Sequence, residues 1–351
     1  MMHAVAIALL LSMCIGETRI VRKEHGAPES NAFSAPMDKN ESNVQQMAEI
    51  AGLNAWSELP IELDWFMSRA FNKTVIFTIA NSDYKGVLAS WLKHIQSVGI
   101  NEKQMSIVCI DDELSTALWK QGHECLLMDL GKNGSHFFGV SFLRHLIAYS
   151  LNSRGYDVMY TDADALWLRN PLTIMQSIVS EVAGPGIIGS RGTYPEYIYQ
   201  AWGATLCTGV LFYHGRLPAS FWWKLVAAEQ QDKDTDDQRS FNDMLFKSGV
   251  VWRMGRLQYT ESTNLSHGHV PALNLAVTLL PHNQFPRHCH GLHFEEVVIL
   301  HCGTISGNAT SKALDWDDKF MDVESKAETI SLLTMMALYL CVFSISDSCC
   351  Y

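Results

Sequence analysis

The stretch "GYDVMYTDADALWLRNP", Gly155–Pro171, runs from an apolar segment straight into two aspartates separated by one alanine. Carboxylates repel each other, so keeping Asp162 and Asp164 side by side needs a compensating gain. One reading is a solvated turn, or a cap on the next helix. Another is a shared hard cation: both side chains reach one ion from such a turn, and magnesium or manganese suits carboxylate oxygens combined with phosphate oxygens.

The surrounding pattern places the pair. Upstream, "KTVIFTIAN" reads as a strand ending at Asn81, succeeded by the helical "YKGVLASWLKHIQSVG". Strand "MSIVCID", helix "ELSTALWKQG", strand "HECLLM" and helix "SFLRHLIAYSLNSRG" then lead into "YDVMYTD". This alternation predicts a single α/β domain with a mostly parallel central sheet flanked by helices. Ligands of such sheets bind beyond the carboxyl ends of the strands. Asn81, Asp111, Asp162 and Asp164 all fall at such ends. The second half is less regular, with strands predicted at "GIIGS", "TGVLFYH", "VVWRM", "LAVTLL" and "VVILHC" and helices near 221–231 and 236–246.

The chain has 351 residues, of which 48% are hydrophobic and 18% charged, enough for one large domain with appendages. A net charge of −11 argues against a nucleic-acid partner. It leaves room for an anionic small substrate, because a bound metal reverses the local potential. Residues 1–16 hold an apolar run, Ala4–Ile15, read as a signal peptide or short anchor. Residues 17–70 read as a stem, and the folded domain is expected over 71–320. The tail, 321–351, is apolar from Ile330 to Ile345 and suits a docked helix, a tail anchor or a removed lipid-anchor signal, so membrane attachment is open at either terminus. Asn40, Asn72, Asn133, Asn264 and Asn308 each open an N-x-S/T sequon, which with the signal-like start predicts a lumenal or secreted protein. Of the nine cysteines, cleavage would remove Cys14, and the rest could pair there in an order that sequence leaves open.

Taken together, these segments resemble the nucleotide-diphospho-sugar transferase family of GT-A-fold glycosyltransferases, which includes plant cell-wall xylosyl- and arabinosyltransferases. The likeness covers roughly 73–312: "TVIFTIANSDY", the Asp162–Asp164 stretch, "GVLFY", "DDQRSFN" and "ILHCGTISGNATSK". It implies a metal-dependent glycosyltransferase, with Mn2+ or Mg2+, moving a sugar from a nucleotide-diphosphate donor, a UDP-sugar, to a glycan or glycoprotein acceptor with retention. Its expected compartment is the Golgi lumen. Asp162, Asp164 and His301 would hold the metal, with Asp162 also reaching the ribose. Lys312 and Arg144 would add positive charge near the phosphates, and Thr78, Ala80 and Asn81 would line the nucleoside pocket. Asp237 and Gln238 would act on the sugar, although acids in a first helical turn also cap it, and spacing does not separate Asp237 from Asp236. Cys207, Thr208 and Gly209 would line the acceptor and sugar side. Two positions depart from the pattern: Cys207 stands where many relatives carry Asn, and Gly303 where Asn is common.

Three other readings compete. The crowd His282, His288, Cys289, His290, His293, His301 and Cys302 suggests zinc, but its spacing fits no finger or ribbon. "DVMYTDADAL" superficially matches haloacid-dehalogenase-type phosphatases, in which the first Asp is a nucleophile on the first strand. A secreted sugar-binding protein could keep the same fold without turnover.

Overall fold

The structure, a computed structural model, describes residues 18–20, 62–128, 137–182, 184–231, 236–259, 264–287 and 293–302. Its centre is a ten-stranded sheet. Before the expected start of the domain come a short strand, β1 (Thr18–Ile20), and a helix, α1 (Leu63–Met67). Helix α1 buries Trp65 and Phe66 in the core, contributing about 2–3 kcal/mol per aromatic side chain. Residues 62–70 therefore belong to the folded body, not to a stem.

Strand β2 (Thr74–Ala80) is buried along its whole length, as a central parallel strand requires. Helix α2 (Lys85–Ser97), β3 (Met105–Cys109), α3 (Asp112–Lys120), β4 (Leu126–Met128), α4 (Phe137–Asn152) and β5 (Asp157–Thr161) come next, in the predicted order. Strands β3 and β5 both pair with β2 in parallel, one on each side. The chain thus reverses its direction of travel across the sheet between β2 and β5, and the crevice at that switch point opens beside Asn81 and Asp162.

The second half adds β6 (Leu166–Trp167), α5 (Leu172–Glu181), β7 (Gly186–Gly192), α6 (Glu196–Trp202), β8 (Thr205–His214), α7 (Ala219–Gln231) and α8 (Asp237–Lys247). It ends with β9 (Val251–Trp252), β10 (Ser266–Val270), β11 (Leu275–Leu279) and β12 (Ile299–Leu300). The sheet order is β1-β4-β3-β2-β5-β8-β7-β11-β10-β9, with β12 and β6 forming a separate antiparallel pair. Strand β8 runs antiparallel to both β5 and β7. Of the ten strands, only β1, β8 and β10 oppose the common direction, so the predicted mostly parallel sheet is mixed at those three places.

One irregularity interrupts the sheet where β8 passes the end of β5. The β7–β8 register jumps from Gly189↔Leu211 to Ser190↔Cys207, leaving residues 208–210 without partners on β7. A bulge of this kind frees carbonyls and re-aims side chains. Among the described residues no helix is long and apolar enough to cross a membrane. The expected signal segment 1–16 and tail 321–351 lie outside the described residues, as do most of the expected stem and Lys312, Gly303, Asn40, Asn133 and Asn308.

Candidate metal and donor site

The chain leaves β5 at Thr161 and turns at once. The Asp162 amide donates to the carbonyl of Gly209 on β8 (2.8 Å), continuing the β5–β8 ladder past Thr161↔Val210. That bond pins the start of the loop to the neighbouring strand. Two residues beyond Asp164, β6 begins and pairs with β12, matching Leu166 with Leu300. His301 comes directly after, so the small β6–β12 pair brings it to the aspartates. His301 Nε2 lies 3.2 Å from Asp164 Oδ1 and 3.5 Å from Asp162 Oδ2. One ligand atom from each of the three residues falls within 4.8 Å of the others. The residues named from sequence for the metal are brought together.

Gly209 makes this closeness sterically feasible. A Cβ there would stand 2.8 Å from His301 Nδ1 and closer still to His301 Cε1 and Asp162 Oδ2. The cradle has room for imidazole and carboxylate only because the strand offers bare backbone. Asp164 and His301 are buried, whereas Asp162 is half-buried at the mouth. Burial and the nearby Arg287 guanidinium oppose a charge on His301, yet the Asp164 carboxylate raises it to about 9.

Behind the carboxylates runs a buried polar chain. The Tyr160 hydroxyl donates to Asp162 Oδ1 (2.7 Å), leaving Oδ2 to face His301. Burial, and then the Asp162 charge, hold that phenol well above its ordinary pKa, so it stays a donor. The Arg144 guanidinium stacks 4.6 Å over the Tyr160 ring, donates to the Thr208 carbonyl (3.3 Å) and pairs with Asp237. Arg144 and Asp237, expected at phosphates and sugar respectively, are therefore ion-pair partners. Taking one away would strand a buried charge, at a cost of about 3–5 kcal/mol.

The α8 start separates the two aspartates that spacing could not. Asp236 is the N-cap, accepting from the Gln238 amide (2.6 Å), while Asp237 turns inward to Arg144. Gln238 Nε2 donates to the Tyr194 carbonyl (2.7 Å). Asn242, fully buried, bonds the Leu206 amide and carbonyl (2.9 and 2.7 Å) and so fixes α8 against β8.

Cys207, also on β8, puts its thiol 3.8 Å from His301 Nδ1. Burial opposes its ionisation, but Arg287 and His301 outweigh burial and lower it to about 7. Cys207 thus faces His301, and Thr208 and Gly209 belong to the bulge.

Ala80 and Thr78 are buried in β2 and Asn81 lies just past its end. Thr78 Oγ1 and Asn81 Oδ1 are shielded from solvent with no hydrogen-bond partner. Asp111 is occupied: it accepts from the Leu114 and Ser82 amides, each at 2.7 Å. Of the histidine crowd, His282 packs on the Tyr259 ring at 4.7 Å and His293 lies 3.4 Å from Glu295. His288, Cys289 and His290 lie outside the described residues, and Cys302 is disulfide-bonded.

Sequence reasoning missed two residues here. Tyr160 carried a signal, since period-two alternation puts it on the face of Asp162. Arg287, in an irregular segment between strands, carried none. Its Nη1 lies 2.8 Å from His301 Nε2 and 3.1 Å from Nδ1.

Comparison with known proteins gives the family. Residues 101–315 match the nucleotide-diphospho-sugar transferase family. The chain belongs to that family. It is 26% identical over 245 residues to the β-arabinofuranosyltransferase RAY1 of Arabidopsis thaliana, covering 66% of this chain and 42% of that protein. To the arabinosyltransferase XEG113 of the same plant it is 23% identical over 228 residues, covering 59% and 34%. The chain thus spans less than half the length of these relatives. Among solved structures, the glycosyltransferase GlyE of Streptococcus pneumoniae matches 49% of this chain and 42% of its own, at 17% identity and a TM-score of 0.32. Membership of this family sets the phosphatase reading aside, as does the position of the aspartate pair after β5 instead of a first strand.

Proposed function

We propose that this chain is a metal-dependent glycosyltransferase that moves a sugar from a UDP-sugar donor to a glycan or glycoprotein acceptor, with retention of configuration. The observation that carries this reading is the convergence of Asp162, Asp164 and His301 at the switch point of the sheet. Two carboxylates and one imidazole, set in a cradle that a single Cβ would fill, fit Mn2+ or Mg2+. When bound, such an ion supplies Lewis-acid stabilisation of a leaving diphosphate.

The protein's own residues do the rest. Asp162 and Asp164 hold the ion, with Tyr160 keeping one Asp162 oxygen in hydrogen bond. The two unpartnered oxygens of Thr78 and Asn81 offer acceptors to the nucleoside, and Ala80 lines the same strand end. Gln238 and Asp237 serve the sugar, with Asp237 oriented by Arg144. Cys207, Thr208 and Gly209 form the floor below the sugar, and Lys312 adds charge near the phosphates. The family relationship to named arabinosyltransferases supports a pentose among the donors to be tried first. Exposed Asn72 and Asn264 and the disulfide at Cys302 support a lumenal, Golgi-type setting.

Calorimetry of UDP binding tests the reading. Wild type is expected to bind only with Mn2+ or Mg2+ present, and Asp164→Ala to lose both binding and turnover. Equal, metal-dependent UDP affinity in the two proteins would sink the assignment.

A further inference from the structure

Arg287 stands at the centre of the site, yet no motif names it. A single nitrogen close to both ring nitrogens of His301 cannot lie in line with either lone pair. It stands over the face of the imidazole. The Nε2 contacts to Asp164 (3.2 Å) and Asp162 (3.5 Å) are kept, so Arg287 and a cation that displaces the Nε2 proton can share His301. Backbone geometry holds the arrangement, because the His301 amide donates to the Pro286 carbonyl (3.2 Å).

That placement creates a charge imbalance. Two carboxylates neutralise a divalent cation, and Arg287 adds a further positive charge in a largely buried centre, which the neighbouring Cys207 thiol offsets only in part. No other carboxylate ligand joins the cluster among the described residues. An anion brought by the substrate would restore the balance, and a diphosphate offers several oxygens to a planar guanidinium. We propose that Arg287 is a donor-binding residue that grips the diphosphate from the His301 side of the metal centre, coupling nucleotide affinity to cation affinity. This rests on the proposed donor reading and adds to it a residue and a linkage.

The linkage has a sign that a merely structural role cannot reproduce. Without nucleotide, Arg287 repels the incoming cation; with nucleotide, it attracts the phosphates. The test uses the full purified chain, Arg287→Met and Arg287→Lys. Mn2+ binding alone is read by electron paramagnetic resonance of the free ion, and UDP binding at saturating Mn2+ by calorimetry. Arg287→Met is expected to bind Mn2+ alone about three- to tenfold more tightly and UDP about ten- to hundredfold more weakly. Arg287→Lys should recover part of the UDP affinity, since charge returns without the planar fork. Unchanged UDP affinity in Arg287→Met, or parallel weakening of Mn2+ and UDP together, would overturn the proposal. A wild type that binds no UDP at all would overturn the donor reading, and this inference with it.

Discussion

Replacing Gly209 by alanine adds one methyl group at the point where strand and site touch most closely. Its Cβ would lie 2.8 Å from His301 Nδ1 and nearer to Cε1 and to Asp162 Oδ2. Non-bonded carbon contacts are comfortable only at about 3.5–4.0 Å, so the imidazole and the carboxylate must each retreat by about 1 Å or more. Metal sites tolerate ligand displacements of only about 0.2 Å, which places the required retreat well outside a working geometry. Gly209→Ala should therefore weaken Mn2+ binding at least ~100-fold, the scale on which a ~1 Å misplacement acts. The same clash acts on the fold: a methyl forced into a filled site costs about 1–3 kcal/mol. Gly86, exposed in α2 with nothing within 4 Å of an added Cβ, is the matched control. Gly86→Ala should leave Mn2+ affinity unchanged and stabilise the chain by up to about 1 kcal/mol. Titration of Mn2+ into both variants, with urea unfolding in parallel, gives the two readouts. Wild-type Mn2+ affinity in folded Gly209→Ala would refute the cradle and with it the placement of His301 against Asp162.

Asp236→Ala should cost about 1 kcal/mol in urea unfolding and retain turnover, because it removes only the α8 cap. Asp237→Asn should keep UDP affinity near wild type while turnover collapses; a folded protein with normal turnover would remove Asp237 from the catalytic set. Arg191→Met should destabilise the fold by about 3 kcal/mol or more without altering Mn2+ affinity. It strands the Leu280, Gln258 and Asn264 carbonyls that Arg191 serves at 2.8–3.0 Å, and urea midpoints read the loss. Burial lowers His214 to about 4, below its ordinary 6.5. Its neutral form thus stabilises the fold fully above pH 6.5, and this contribution fades as pH falls to about 4. The loss amounts to about 3 kcal/mol. Urea midpoints measured from pH 7 to 4 should show less acid sensitivity in His214→Phe than in wild type.

The parallel half of the fold was legible because each of its strands is a mostly apolar or β-branched run bounded by a helical period. The Asp162–Asp164 pair was legible for the same reason, since it ends one of those runs. Strand β10, "SHGHV", was not: histidine and glycine give no strand signal, and it forms because β9 and β11 flank it. Strand β6 is two residues long, too short for any periodicity, whereas "VVILHC" was read as a strand, of which Ile299–Leu300 pairs. The bulge at 208–210 leaves no mark in "LCTGVLFY", because register depends on the partner strand. Asp236 and Asp237 became distinguishable only through the direction in which the chain enters α8. Arg287 needed the tertiary approach of its loop to His301.

The β6–β12 pair has a consequence for the order in which the protein becomes competent. It joins the loop after β5 to one of the last described segments of the chain, so the two halves of the proposed ligand set are made far apart in time during synthesis. A nascent chain that has emerged only as far as β11 already carries both aspartates and all ten strands of the main sheet, but not His301. Such a chain should hold its fold loosely and ignore Mn2+. Arrival of Ile299–Leu300 closes a very long loop, a step whose entropic cost grows only slowly with loop length. Any cation that then binds the finished protein and not the unfinished one adds its binding free energy to that closure. On the proposed metal reading, ion capture would latch the newly made chain, and supply of the ion during folding should raise the yield of active protein more than the same ion added afterwards.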